Sequence, residues 1–349
     1  MEFGSFMEFH TREGLGQPAA FDESFAHVDM AEELGLDAVW MAESHFSPGR
    51  SVLSAPLVLG AAIAARTKRI KIGTAVHVLP LGNPLRTAEE AATLDHVSTG
   101  RFEFGVGRSG LPGSYEGYNI PYAESRERFF EYLEIILKAW TSERFSYAGK
   151  YYTFDDVCLV PKPFQSPHPP VRIAANTAST FPVIAGMGFP VFIGLRGQGV
   201  SQVAEHVDTY IRAWQEAEHE APADVSLRLP VYVAEGRDAA LSEPEESFMR
   251  QFRRLGGQLA TSTARAGADD AEGRAERAEE LASLTWARVR REKVAVGTPE
   301  MVVERIQELK ETLHLSGVVA EFNAGELLPP EAVSRSLKLF CERVIPAFR

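Results

Sequence analysis

Short apolar runs alternate with longer amphipathic stretches along almost the whole chain, and this rhythm limits the fold more than any single motif does. Runs of strand length fall at Glu2–Phe9, Ala38–Ala42, Ile70–Ala75, Arg101–Val106, Val171–Ala174, Pro190–Gly194, Leu229–Ala234 and Gly317–Glu321. Helix-like periodicity lies between them at Phe21–Leu34, Pro56–Ala65, Arg86–Ser98, Ala123–Trp140, Ser179–Met187, Ser201–Ala217, Ala239–Leu255 and Pro299–Leu313, and Pro330–Arg343 closes the chain. Parallel strands covered by helices on both faces read as continuous apolar runs of this kind. Eight such units without a compositional break predict one α/β domain over residues 1–349, a single (β/α)8 TIM barrel.

Three stretches depart from the rhythm. Residues 145–162 look like a small hairpin, with Tyr151-Tyr152-Thr153-Phe154 as its clearest strand. Residues 256–293 form a long insertion whose part Ala264–Glu280 holds almost no large apolar side chain, so it is expected to bury little surface and to be mobile. Its place late in a barrel suggests an active-site lid, with a solvated helical excursion as the alternative. Pro56–Ala65 is apolar on nearly every face, which predicts cover by a second subunit and a homodimer, or else burial under a local loop.

Charge and residue usage remove several classes of function. A formal charge of −12 without any Lys/Arg cluster excludes nucleic acid as a partner. The apolar run Ala55–Ala65 is too short to span a membrane, and the first residues lack the basic-then-apolar order of a signal peptide, so a cytoplasmic protein is expected. Cys158 and Cys341 stand far apart, and the histidines form neither H-x-H nor H-E-x-x-H, which leaves no metal site in view.

Thr99–Gly110 reads Thr-Gly-Arg-Phe-Glu-Phe-Gly-Val-Gly-Arg-Ser-Gly, and its end fits G-x-G-x-x-G. A dinucleotide loop needs a helix opening at the third glycine and an acid about 20 residues on. Here Leu111-Pro112-Gly113-Ser114 follows, which is turn chemistry, so the stretch reads instead as a phosphate-holding turn at a barrel strand's end. The other strand ends supply Glu43-Ser44-His45-Phe46, Ala75-Val76-His77, Asn176–Thr180 and Gly194-Leu195-Arg196. Arg108 offers a planar fork of donors, and Asn176-Thr177-Ala178-Ser179-Thr180 offers hydroxyls and backbone N–H groups at a helix start. Together they suggest one bound phosphate. The remaining strand ends are small and apolar, suited to a flat cofactor.

Glu2-Phe3-Gly4, Leu36-Asp37-Ala38-Val39-Trp40, Glu43-Ser44-His45-Phe46, Ile72-Gly73-Thr74-Ala75, Asn83-Pro84-Leu85-Arg86, Gly100-Arg101-Phe102, Gly107-Arg108, Thr177-Ala178-Ser179-Thr180, Val296-Gly297-Thr298-Pro299 and Leu337-Lys338-Leu339-Phe340 follow one another along the chain. In these it resembles the bacterial luciferase-like flavin monooxygenases, most closely the luciferase α subunit type. The resemblance implies a dimeric barrel that binds reduced FMN, supplied by a separate reductase. Reaction with O2 through a 4a-hydroperoxyflavin would then oxidise a small-molecule substrate, apolar or aromatic, under a lid that keeps water out.

By the same resemblance, Arg108, Asn176, Thr177, Ser179 and Thr180 hold the FMN phosphate. Glu43, Ala75, Val76 and Gly107 line the ring site, and the Ala75–Val76 peptide is cis. Ser44 and His45 are the catalytic candidates, and Met7, Phe9, Phe46, Tyr115 and Leu195 the expected substrate walls. The α-type motif is Glu-His-His-Phe, with the first histidine as acid/base. Ser44 replaces it here, and serine cannot take that proton-transfer role near neutral pH. If strand alternation extends this far, His45 points to the other face and reads as a structural histidine. The alternatives are a deazaflavin-dependent oxidoreductase of the same superfamily and a non-catalytic luciferase β-like partner subunit. A Rossmann-type dehydrogenase is more remote still.

Overall fold

The computed structural model describes residues 1–195, 197–263 and 271–349. Eight parallel strands close into a ring: β1 (Glu2–Met7), β2 (Ala38–Met41), β3 (Lys71–Thr74), β4 (Phe102–Gly107), β5 (Val171–Ala174), β6 (Val191–Gly194), β7 (Val225–Val233) and β8 (Gly317–Glu321). Each strand pairs with the next, and β8 returns to β1 with Gly317 beside Glu2. All eight overlap apolar runs expected from the sequence, although β7 begins at Val225 rather than Leu229 and pairs with β6 through Val225–Arg228, and the fold is the predicted TIM barrel. Two short strands were not expected: His77–Val78 beside β4 and Ala295–Gly297 beside β7.

The barrel is filled as a core. Trp40 of β2 points into it and meets the Phe192 ring edge-on at 4.8 Å. Its neighbours on β1 and β3 are glycines, and a Cβ at Gly73 would lie 2.1 Å from the indole, one at Gly4 2.6 Å. The flanking strands give up their side chains so that one large ring can occupy the centre.

The outer helices are α1 (Gln17–Glu33), α2 (Pro56–Arg66), α3 (Pro84–Val97), α4 (Ser125–Thr141), α5 (Phe181–Gly186), α6 (Val200–Glu216), α7 (Glu245–Thr263), α8 (Ala271–Ala282), α9 (Trp286–Glu292), α10 (Pro299–Leu313) and α11 (Pro330–Leu339). Several begin earlier than their apolar pattern. In α3 the Asn83 side chain accepts from the N–H groups of Leu85 and Arg86, with Pro84 opening the first turn. The helix expected at Ala239–Leu255 is broken at Pro244 into Arg237–Ser242 and α7. The hairpin within 145–162 is present as antiparallel strands Phe145–Ala148 and Thr153–Val157. No helix of the described residues is long and apolar enough to cross a membrane.

The insertion at 256–293 differs most from expectation. α7 runs straight through Gly256-Gly257, and α8 packs against it. A Cβ at Gly256 would stand 3.3 Å from Leu281 Cβ, so this glycine serves close helix approach. Within the described part of Ala264–Glu280 only Arg274 and Ala278 are buried, and Leu281 just beyond it is buried as well. Residues 264–270 of the stretch expected to be mobile lie outside the described residues, as does Arg196.

Candidate functional site

At the C-terminal ends of the strands lies a cavity of about 350 Å³, and its lining has two chemically distinct ends. At the first end stand Arg108, Arg126, Asn176, Thr177 and Thr180. The Thr177 and Thr180 hydroxyls lie 2.8 Å apart, and Thr180 N–H donates to the Thr177 carbonyl at 2.9 Å. Arg126 reaches Thr180 Oγ1 at 3.4 Å, and Arg108 donates to Ser125 Oγ at 3.3 Å. Among the described residues Arg126 meets no carboxylate; its guanidinium lies over the Phe130 ring at 5.5 Å. Two guanidinium groups, two hydroxyls and a turn converge here, a donor set that matches a phosphate dianion.

The loop carrying Arg108 is braced from below. Tyr115 O–H donates to the Arg108 carbonyl, and its ring meets Tyr122 edge-on at 5.1 Å. Burial drives the Tyr115 phenol well above its ordinary range, so it remains a donor.

Small apolar groups form the second end. The Ala75–Val76 peptide is cis, and both residues line the cavity beside Gly107, where a Cβ would stand 2.6 Å from Val76 Cγ2. Next to them Glu43 is buried with both oxygens engaged. His45 Nε2 lies 2.7 Å from Oε1, His77 Nδ1 lies 2.7 Å from Oε2, and Val78 N–H donates to Oε2 at 3.0 Å. Burial alone would raise this carboxyl, but His77 beside it and the hydrogen bonds from both histidines outweigh burial and hold it at about 2. Glu43 is therefore ionised at neutral pH.

Ser44 lines the cavity and His45 does not. The imidazole is turned away between Glu43 and Tyr118, whose hydroxyl lies 3.3 Å from Nδ1. β2 ends at Met41, and Ala42, Glu43 and Ser44 in succession line the cavity, so it is the turn after β2, and not strand alternation, that puts His45 behind the wall.

The expected substrate walls need correction. None of Met7, Phe9, Phe46, Tyr115 and Leu195 lines this cavity. On β1 and just beyond it Phe6 and Glu8 face inward, so Met7 and Phe9 must face outward, where Phe9 packs on Phe21 and Phe25 of α1. Phe46 is 63% exposed and lies against Gly117 and Tyr118. Tyr115 is spent on the Arg108 loop, and Leu195 is buried among Phe252, Leu255 and Lys293. Ser179 is exposed outside the phosphate-like end, one position from Thr180, which faces in.

The cavity is instead walled by Phe6, Phe129, Phe130 and Phe192, with Leu255 and Leu259 of α7 as a roof. The spacing Arg126-Phe129-Phe130 at the start of α4 was the available signal, since i, i+3 and i+4 share a helix face. α8 joins the roof through Arg274, which donates to the Gly110 carbonyl at 3.2 Å, Ser262 Oγ at 3.1 Å and Tyr122 Oη at 2.7 Å. At one side Glu8 is held well below the usual carboxylate range; burial opposes this, and Arg50 and Arg228 outweigh it. Arg228 also covers the Phe6 ring, 3.4 Å from its centroid.

A family model described as luciferase-like monooxygenase matches residues 1–315. The chain is similar to 4-hydroxyprotoasukamycin monooxygenase of Streptomyces nodosus subsp. asukaensis, at 27% identity over 332 residues, 92% of this chain and 85% of that one. It is 35% identical to the uncharacterised protein y4wF of Sinorhizobium fredii over 177 residues, so that match spans about half the length of each. Among solved structures it is similar to monooxygenase RslO1 from Streptomyces bottropensis, with a TM-score of 0.81, 26% identity and 100% of both chains covered.

Proposed function

The chain belongs to the luciferase-like monooxygenases, a family of flavin-dependent enzymes, and from that premise we propose that it is the oxygenase of a two-component system, using reduced FMN and O2 on an organic substrate. The observation that carries this reading is the convergence of Arg108, Arg126, Thr177 and Thr180 at one end of a cavity whose other end is small and apolar. A flavin mononucleotide has that division of character: a dianionic phosphate and a flat ring.

Arg108 and Arg126 would hold the phosphate by charge-assisted hydrogen bonds, with Asn176 and the two threonines completing the cradle. Ala75, Val76 and Gly107 would leave room for the ring. When bound, reduced flavin would supply two electrons to O2, one oxygen atom passing to the substrate and the other leaving as water. Glu43 keeps its charge and fixes Val78 and both histidines around it. Ser44 presents a hydroxyl that can donate or accept a hydrogen bond but cannot store a proton. Leu255, Leu259 and α8 would shield the cavity from water, the role expected of a lid. The proposal includes a homodimer formed through α2 and reducing equivalents delivered as reduced flavin by a separate reductase.

The test is direct. Purified protein should bind FMN saturably in a fluorescence titration, and it should oxidise no NADH until a flavin reductase is added. After mixing with reduced FMN and O2, release of hydrogen peroxide should lag behind oxygen consumption. Tighter binding of the deazaflavin analogue would move the assignment to a deazaflavin oxidoreductase, and no binding of either would leave a partner subunit.

A further inference from the structure

Beside the cavity runs an open groove of about 580 Å³ between residues 47–50, which follow β2, and α7. Arg250, Arg253 and Arg254 face it from the helix, and Arg50 and Gln258 line both groove and cavity. Arg250, Arg254 and Gln258 follow at i, i+4 and i+8, one stripe of α7, while Leu255 and Leu259 belong to the cavity wall. The same helix presents cations to the groove and apolar groups to the cavity.

The charges around this groove do not balance. Around the groove and the adjoining cavity wall stand five arginines, Arg50, Arg228, Arg250, Arg253 and Arg254, and three carboxylates, Glu8, Glu321 and Glu326. Glu8 pairs with Arg50 and Arg228, and Glu321 lies 2.8 Å from Arg228. Glu326 pairs with Arg254, while Arg250 stands 3.9 Å off. Arg253 is exposed and, among the described residues, has no carboxylate partner. In a chain of formal charge −12, a local surplus of cations at the cavity's edge draws anions towards it.

We propose that the substrate is an organic acid, its carboxylate docked on Arg250 and Arg253 while its apolar remainder passes Arg50 and Gln258 into the cavity. This rests on the cavity being the reaction chamber proposed above. Arg50 and Arg254 are already committed to buried acids, so the two outer arginines carry the recognition, and their guanidinium forks match a carboxylate.

Calorimetric titration of the FMN-loaded protein with decanoate, 1-naphthoate and their neutral amides tests the idea. At least one acid should bind roughly tenfold more tightly than its own amide, and added salt should shrink the preference. The Arg250→Ala/Arg253→Ala double variant should lose the preference, Arg253→Lys should keep part of it, and FMN affinity should be unchanged in both. Equal affinity of acid and amide, a preference that survives the double substitution, or no binding of either acid at millimolar concentration would overturn the proposal. The FMN titration above and this one repeated on the FMN-free protein separate the two readings: failure of FMN to bind removes the cofactor assignment, whereas the acid preference on the FMN-free protein depends on the arginines alone.

Discussion

Glu43 commits both carboxylate oxygens to its neighbours, and its charge is worth stability only while it stays ionised. Its folded value of about 2 lies below the ordinary 4.5, so this contribution is full above the ordinary value and is lost as pH falls towards about 2. Its size is on the order of 3 kcal/mol. Glu43→Gln should therefore be less stable than wild type in urea unfolding at neutral pH, with the gap narrowing as pH falls through that window. A gap independent of pH would show that the amide loses shape complementarity and no charge term. Arg108→Ala should weaken FMN binding by about 1.5–3 kcal/mol, read by fluorescence titration, because it removes hydrogen bonds to a charged group. Unchanged affinity would take the phosphate away from this end of the cavity.

Among the elements, the contact between α7 and α8 hinges on Gly256. Gly256→Val would press its side chain into Leu281, costing about 1–3 kcal/mol by overpacking and loosening the roof. Faster amide exchange in α8 with unchanged exchange in the barrel strands is the expected signature; uniform acceleration would mean global destabilisation. The same contact explains what the sequence could and could not reveal. The strands were legible because each is a continuous apolar run, whereas α8 lacks apolar periodicity and is held by one glycine notch and by the polar contacts of Arg274. That Arg108, Thr177 and Thr180 would come together was legible from strand ends and turn chemistry, and all three line one cavity. The cavity walls were not, since choosing Met7 and Phe9 over Phe6 and Glu8 is a single-residue choice of face that only barrel pairing decides. Arg126 was missed because a helix face becomes a cavity wall only through tertiary placement.

For the molecule as a whole, α2 leaves Val58 67% exposed, and Val97 of the neighbouring helix is exposed as well. If this face joins two copies, Val58→Glu should yield a monomer by light scattering with the barrel intact by circular dichroism; an unchanged mass would place the interface elsewhere. Within each copy the roof and the anion loop are mechanically joined, because Arg274 hangs α8 from the carbonyl of Gly110, two residues past Arg108. With the proposed cofactor in the cavity, its departure would disturb the anchor of the roof, whereas arrival could precede it, and α8 would then set residence time more than capture. Arg274→Ala should raise the FMN dissociation rate in stopped-flow displacement and leave the association rate nearly constant, so that the roof acts as a brake on cofactor loss between turnovers.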